Sequence, residues 1–292
     1  MKRKAILIEA SNVQGEAVLP GAAKDVMNWL NFLKSPLGGS WDPTEIFPPY
    51  NKPSKAMISG LLKAHQDCYC FVVFSGHGRN GSVVLNDQET EVLYKDLFPQ
   101  STKGTLIVDA CRGTSDEGVK EGAIAVANSR FTSRSSRMTN LSALHEMDYT
   151  ETHKDVWLRA LQERTDGIVR MLSCSKGQGA DEDPDAGGYY TSLLMAGAKE
   201  WRDDDIAQEL VFSTLKAHDY AAKNLPQQQT PQYLPDRTVY FPFAVKMTSQ
   251  LNGLLEKAEL IKNGRAGTSS LGSIGLVGPS FAISNPTHQF YG

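Results

Sequence analysis

Two short segments of the sequence place a histidine between two glycines and a cysteine two positions before a glycine. Ser75-Gly76-His77-Gly78 carries an imidazole, and Asp109-Ala110-Cys111-Arg112-Gly113 carries a thiol 34 positions later. A cysteine thiol with a pKa of about 8.5 is mostly protonated at neutral pH, and an adjacent imidazole can accept its proton. The pair predicts attack of a thiolate on a peptide carbonyl through an acyl-enzyme, with the backbone N–H groups of Gly78 and Cys111 stabilising the oxyanion.

Each of these segments follows a short apolar run that predicts a buried strand, at residues 71–74 and 106–108. Further strands are predicted at residues 5–8 and 167–174. Helical spacing of apolar residues predicts helices at 26–33, 54–65, 190–201 and 205–223. This alternation predicts an α/β fold in which a mostly parallel sheet is covered by helices on both faces. Loops at the carboxyl ends of neighbouring strands would then place His77 beside Cys111.

Composition restricts the partners and the location of the protein. The net charge of −3 and the pI near 6.1 give no global attraction to nucleic acid or to an anionic membrane. No apolar run approaches the roughly 20 residues of a membrane span, and the run at residues 5–8 is too short for a secretory signal. The four cysteines have no Cys-x-x-Cys spacing, so neither a disulfide framework nor a zinc site is predicted. A reducing cytoplasm is the expected location.

Two stretches depart from the alternating pattern. Residues 113–164 contain many Ser, Thr and Arg residues with little periodicity, which predicts a long flexible connection inside the domain. Residues 246–292 form a predicted C-terminal extension that is rich in Gly, Ser, Pro and Asn towards its end. The catalytic domain is therefore expected to span residues 1–245.

The histidine and cysteine segments resemble the corresponding boxes of the caspase and metacaspase clan of cysteine peptidases, in the order that this clan uses. The resemblance extends over about residues 4–245 and implies the caspase-like sheet flanked by helices. Caspases have Gln where Asp109 stands, and their histidine lies about 50 residues before the cysteine. Asp at this position instead resembles the metacaspases.

The resemblance to metacaspases implies how substrates are chosen. Asp25, Ser75 and Asp109 would converge on the pocket for the residue before the scissile bond (P1). Two carboxylates there would bind a guanidinium bidentately and favour Arg over Lys. No cofactor is required for the chemistry. Metacaspases often depend on calcium, but the acidic run of Asp181, Glu182, Asp183 and Asp185 lacks the spacing of an EF-hand and reads as a solvated loop.

Several basic residues lie where related enzymes separate their larger and smaller parts, and self-cleavage there is one interpretation. These residues are Arg130, Arg134, Arg137, Arg159 and Arg164. A basic, Ser-rich loop that is simply solvated is the alternative interpretation. Compact bacterial relatives of this clan include latent effectors of phage defence and cell death, released by an activating protease or sensor protein. The resemblance implies such a zymogen here, with protein substrates.

Two other functions remain open from the sequence: a catalytically idle scaffold that binds partners, and a cysteine hydrolase acting on a small molecule. The intact His77 and Cys111 argue against the scaffold. Cys68, Cys70 and Cys174 lie within predicted strands and are expected to pack in the core. The segment at residues 227–232, rich in Gln, is interpreted either as a substrate contact or as a structural connection.

Overall fold

The computed structural model describes residues 1–50, 54–85, 91–112, 145–204, 209–236 and 238–246. The strands are β1 (Arg3–Ala10), β2 (Ile46–Tyr50), β3 (Tyr69–Gly76), β4 (Gly78–Arg79), β5 (Ser82–Val84), β6 (Glu91–Leu93), β7 (Lys103–Asp109), β8 (Gly167–Leu172), β9 (Glu182–Asp183), β10 (Gly187–Gly188), β11 (Val211–Ser213), β12 (Gln232–Pro235) and β13 (Pro242–Val245). The helices are α1 (Pro20–Lys34), α2 (Lys55–Ala64), α3 (His145–Gln162), α4 (Tyr189–Asp203) and α5 (Thr214–Asn224), with 3-10 turns at Pro43–Glu45 and Tyr94–Leu97.

The central sheet has six strands in the order β12-β8-β7-β3-β1-β2. All neighbouring pairs are parallel except β12 and β8, which are antiparallel. The prediction of a mostly parallel α/β sheet is therefore confirmed. Ser75 pairs with Asp109 across β3 and β7, so the two strands that carry the predicted catalytic segments end at the same level.

Side chains of the central strands alternate between two apolar layers. Ala5 and Leu7 of β1 point into one cluster with α1, α3 and α4, whereas Ile6 and Ile8 point into a second cluster with α2. In β3, Val72 and the residues two positions before and after it also point into the second cluster. Successive side chains of a strand point to opposite faces, so a continuous apolar run is required when both faces are covered.

Helices α1 and α2 pack as their sequences predict, and α2 begins after Ser54 as predicted, whereas α1 begins at Pro20 and is longer than the predicted 26–33. In α1, Val26, Trp29 and Leu33 are buried at helical spacing against the sheet. The Ser54 hydroxyl accepts a hydrogen bond from the Met57 N–H (3.2 Å), which satisfies one of the free donors at the start of α2. Helix α1 also carries Asp25. This residue lies just over one turn after the start of the helix and faces the carboxyl end of the sheet.

Two predicted boundaries are corrected by the structure. The predicted flexible connection at 113–164 contains α3, whose last turns bury Val156, Trp157, Ala160 and Leu161; residues 113–144 lie outside the described residues. The helix predicted at 205–223 begins only at Thr214, because Ser213 caps it and the preceding β11 pairs with β13. Apart from Lys246, the predicted extension at 246–292 also lies outside the described residues.

Candidate active site

His77 lies directly after β3, where the backbone turns sharply. Gly76 has a φ of +152°, and a Cβ at this position would lie 2.4 Å from the carbonyl oxygen of Ala10. Only glycine, which has no Cβ, lets the backbone at position 76 come this close to Ala10. The Nε2 atom of His77 lies 2.7 Å from the carbonyl oxygen of Ala17, in the loop between β1 and α1. Because a carbonyl oxygen only accepts, Nε2 carries the proton, and Nδ1 is the nitrogen that is free to accept one.

Cys111 lies two residues after the end of β7. Its Sγ atom accepts a hydrogen bond from the Ala180 N–H at 3.3 Å. The next residue, Arg112, is buried and donates to the carbonyl oxygen of Cys174 at 3.1 Å and to the side chain of Gln232. These contacts anchor the segment that carries the thiol to the segment after β8 and to β12.

The histidine and cysteine segments are in direct contact. A Cβ at Gly78 would lie 2.5 Å from the carbonyl oxygen of Cys111 and 2.7 Å from the Cβ of Ala110. Real Cβ atoms do not approach backbone oxygens this closely, so the two segments can pack together only because residue 78 is glycine. The topology thus brings together the two segments that carry the residues singled out from the sequence.

Gly78→Ala is expected to lower activity by about 10²-fold, because the added methyl group must move the Cys111 segment away from the His77 segment and misplace the reacting groups. Turnover of a fluorogenic peptide and the melting temperature measure the two effects separately. Gly60→Ala is the matched control, since its new Cβ meets no atom within 4 Å on the exposed side of α2. Equal activity of the Gly78 variant and this control would contradict the inferred contact.

Asp25, Ser75 and Asp109 also converge, as the resemblance to metacaspases implies. The Ser75 hydroxyl donates to Asp25 Oδ2 at 2.7 Å. The Thr191 hydroxyl and N–H donate to Asp109 Oδ2 at 2.7 Å and 3.1 Å. All three predicted pocket residues are buried, with exposures of 1% for Asp25, 2% for Ser75 and 6% for Asp109. Two carboxylates and a hydroxyl therefore share one buried site next to Cys111.

The hairpin formed by β9 and β10 packs against these acids. The Gly188 N–H donates to Asp25 Oδ1 at 2.8 Å. A Cβ on Gly188 would lie 2.5 Å from Asp109 Oδ2 and 2.9 Å from Asp25 Oδ2, so both carboxylates meet this glycine. On the opposite strand of the hairpin, Glu182 accepts the N–H groups of Gly21 and Ala22 at the start of α1. The hairpin is therefore tied to the helix that carries Asp25.

Burial raises the pKa of the Cys111 thiol. The hydrogen bond from Ala180 acts in the opposite direction, and the charges of Asp109, Asp181 and Glu182 raise this pKa further. A raised pKa favours the protonated thiol over the thiolate, which is the form that attacks a carbonyl. His77 lies in the segment that contacts the Cys111 segment.

Burial likewise raises the pKa values of both pocket carboxyl groups. For Asp25, the negative charge of Asp109 is the second cause, and the hydrogen bonds from Ser75 and Gly188 act against it. For Asp109, the hydrogen bonds from Thr191 and Ser173 oppose the effect of burial. Burying two carboxyl groups side by side does not stabilise a fold. Carboxyl groups with raised pKa values are therefore concentrated at functional sites.

The acidic run 181–185 has structural partners rather than a common centre. Asp183 Oδ1 accepts the N–H groups of Asp185 (2.8 Å) and Ala186 (3.0 Å), which shapes the turn of the hairpin. Glu182 points to α1, as described above. Within the described ranges, no group of three acidic, His or Cys side chains could hold a metal ion.

The Gln-rich segment forms a structural connection to the site. Gln229 is buried, donates to the carbonyl oxygen of Ser173 (2.9 Å) and accepts the N–H of Asp181 (3.2 Å). Gln232 accepts from Arg112, as noted above. This segment thereby fixes the chain that runs from β8 past the thiol of Cys111.

Of the arginines considered for processing, the structure describes two. Arg159 is in the last turn of α3, and the guanidinium of Arg164 lies 4.5 Å from the ring centroid of Tyr240. Peptidases bind extended chains, so cleavage after Arg159 would require α3 to unwind. Arg130, Arg134 and Arg137 lie outside the described residues.

Sequence reasoning missed the backbone groups of this site and the role of Glu182. Ala17, Ala180 and Gly188 contribute backbone carbonyl or N–H groups. No pattern of side chains in the sequence predicts the position of such groups. Glu182 was interpreted as part of a solvated run. The only sequence signal was the pair of glycines at 187 and 188, which permits close approach to the acids.

Comparison with known proteins agrees with this architecture. A family model described as the caspase domain matches residues 2–241. The chain is similar to the crystal structure of caspase-1 from Spodoptera frugiperda, with a TM-score of 0.50 and 16% sequence identity over 84% of this chain and 90% of that chain. This identity supports the fold alone. No curated protein sequence matches the chain. None of the described helices has the length and hydropathy that crossing a bilayer requires.

Proposed function

Because the chain belongs to the caspase family of cysteine peptidases, we propose that it cleaves protein substrates after arginine and, less efficiently, after lysine. Cys111 is the nucleophile and His77 is the general base. Asp25, Ser75 and Asp109 form the P1 pocket. The observation that carries the specificity is the buried pair of carboxylates beside the nucleophile.

The dyad acts through a defined nitrogen of the imidazole. With Nε2–H held by the Ala17 carbonyl, Nδ1 accepts the proton of the Cys111 thiol, and the thiolate attacks the scissile carbonyl. The imidazolium returns this proton to the leaving amine as the C–N bond breaks, which leaves a thioester. His77 then takes a proton from water, and hydroxide releases the acid and regenerates the thiol. The N–H groups of Gly78 and Cys111 are proposed to stabilise the tetrahedral oxyanion.

The electrostatics of the pocket support a basic P1 residue. None of the ion pairs among the described residues involves Asp25, Asp109 or Glu182. Buried negative charge without a cationic partner is unfavourable, and a substrate cation would supply that partner. The planar fork of arginine can bond both carboxylates at once, whereas lysine offers a single ammonium.

Peptides that share P2–P4 and carry Arg, Lys, citrulline or Asp at P1 test this specificity. The expected order is Arg above Lys, by about tenfold, with citrulline and Asp far below. Cys111→Ala, assayed on the same peptides, shows whether turnover depends on this thiol. Cleavage after Asp, or equal cleavage after arginine and citrulline, would contradict the proposed pocket. Thiol labelling without peptide turnover would favour an idle scaffold or a small-molecule hydrolase.

We also propose that the enzyme is a latent cytoplasmic effector of a bacterial defence or cell-death pathway, activated by cleavage between the two parts of the domain. The resemblance to bacterial caspase-like proteases supports this proposal, together with Arg130, Arg134 and Arg137. A variant with these three arginines changed to alanine is expected to remain uncleaved and weakly active, with and without calcium or limited trypsin treatment. Full activity of the uncleaved variant would rule out activation by processing at these sites.

A further inference from the structure

The carboxylates of Asp25 and Asp109 both face Gly188. Their Oδ2 atoms lie 2.9 Å and 2.5 Å from one point, the position that a Cβ of Gly188 would occupy. The two carboxylates come from different elements, α1 and the end of β7, and each is nearly inaccessible to solvent. They therefore meet in a buried site rather than across water.

The groups that hydrogen-bond these two carboxylates are neutral. Asp25 accepts from the Ser75 hydroxyl and the Gly188 N–H, and Asp109 accepts from the N–H and hydroxyl of Thr191. Among the residues that the structure describes, Glu182, Cys111, Cys174 and Tyr190 also interact electrostatically with the pair, and none of these four groups carries a positive charge. Among the described residues, no lysine or arginine forms an ion pair with either acid.

Two ionised carboxylates in such a site repel each other and are poorly solvated. Neutral hydrogen-bond donors offset part of this cost but add no charge of opposite sign. The arrangement of lowest free energy keeps one proton on the pair, as in other close carboxyl pairs. The raised pKa values of both acids, caused first by burial, agree with this geometric argument.

We propose that Asp25 and Asp109 share one proton in the substrate-free enzyme and release it to solvent when a basic P1 side chain reaches them. This inference rests on the proposed specificity for basic residues. The exchange balances in charge: the pair carries −1 with its proton, and it still contributes −1 as two carboxylates with a bound guanidinium or ammonium. The buried site thus never holds two uncompensated negative charges.

Proton exchange makes binding depend on pH with a defined sign. Below the upper titration of the pair, the free enzyme binds one proton more than the complex. The Kd for an arginine peptide therefore falls as pH rises, by up to about tenfold per pH unit, and becomes constant above that titration. A citrulline peptide releases no proton from the pair, so its weaker binding lacks this dependence.

Isothermal titration calorimetry on Cys111→Ala tests the exchange with an arginine peptide and its citrulline analogue. Titrations at one pH, in buffers with different ionisation enthalpies, give the number of protons released. We expect about one proton more for arginine than for citrulline, and a loss of this difference in the additional Asp109→Asn variant. Tight arginine binding without a proton difference would overturn the proposal.

A second measurement separates this inference from the proposed specificity. Carbon-13 NMR of the aspartate carboxyl groups in the free enzyme, assigned with Asp25→Asn and Asp109→Asn, reports their titration without substrate. Coupled titration well above the ordinary range of about 4 supports the shared proton, even if arginine peptides bind no better than citrulline peptides. Independent ionisation of both groups near that ordinary value would refute it, whatever the specificity.

Discussion

Cys111→Ala and His77→Ala are each expected to reduce peptide turnover by roughly 10⁶-fold, the loss in kcat seen when the nucleophile or the general base of a serine peptidase is removed. The reason is physical: burial and neighbouring acids keep the Cys111 thiol protonated, so neither a thiol without its base nor a base without its thiol generates a nucleophile. Steady-state kcat on the best arginine peptide measures the effect. Because the two residues act as a unit, the double variant is expected to be no worse than either single variant.

Matched variants show whether the effect belongs to this pair. Cys68→Ala removes a buried thiol near the opposite end of β3, and His65→Asn removes the imidazole at the end of α2. Both are expected to retain activity close to that of the unmodified enzyme. If His77→Ala retained most of the activity while Cys111→Ala lost it, another group would have to accept the proton, and the assignment of the base would be wrong.

The arrangement of the site follows largely from strand ends that the sequence reveals. Apolar runs that lead into the segments carrying His77 and Cys111 identify two buried strands, and parallel pairing places the ends of these strands at the same level. Ser75 and Asp109 each precede the catalytic residue by two positions, so the same register places them opposite each other. Asp25 could be assigned only by resemblance, since its position depends on how α1 packs onto the sheet.

Backbone groups account for most of what the sequence did not reveal. The carbonyl oxygen of Ala17 and the N–H of Ala180 act on His77 and Cys111 through peptide groups that every residue possesses, so their roles depend on loop conformation alone. Helix α3 was missed for a different reason. Among the side chains of α3 that the structure describes, the buried ones lie in the last turns, and the polar sequence of the first half dilutes the periodicity that would predict a helix.

The pocket acids are expected to have the second-largest effect. Asp109→Asn and Asp25→Asn should each lower kcat/KM for arginine peptides by about 10²-fold or more, since removing one partner of a buried charge interaction costs about 2–5 kcal/mol. Each amide keeps an oxygen that can accept from Thr191 or Gly188 but loses the negative charge. The loss should therefore fall on arginine and lysine peptides, with the low turnover of citrulline peptides nearly unchanged. Parallel kinetics on the arginine and citrulline series measure this ratio.

Asp155→Asn, on the exposed side of α3, is the matched control, because it removes one negative charge from the surface without touching the pocket. It should change neither the kcat/KM for arginine nor the ratio of arginine to citrulline. A general loss of stability in the pocket variants would lower both peptides alike, so the ratio isolates recognition from folding. If the ratio of arginine to citrulline turnover were unchanged in both pocket variants, these carboxylates would not recognise the P1 residue. The buried pair would then be a structural feature of the junction between α1, β7 and the hairpin that contains Gly188.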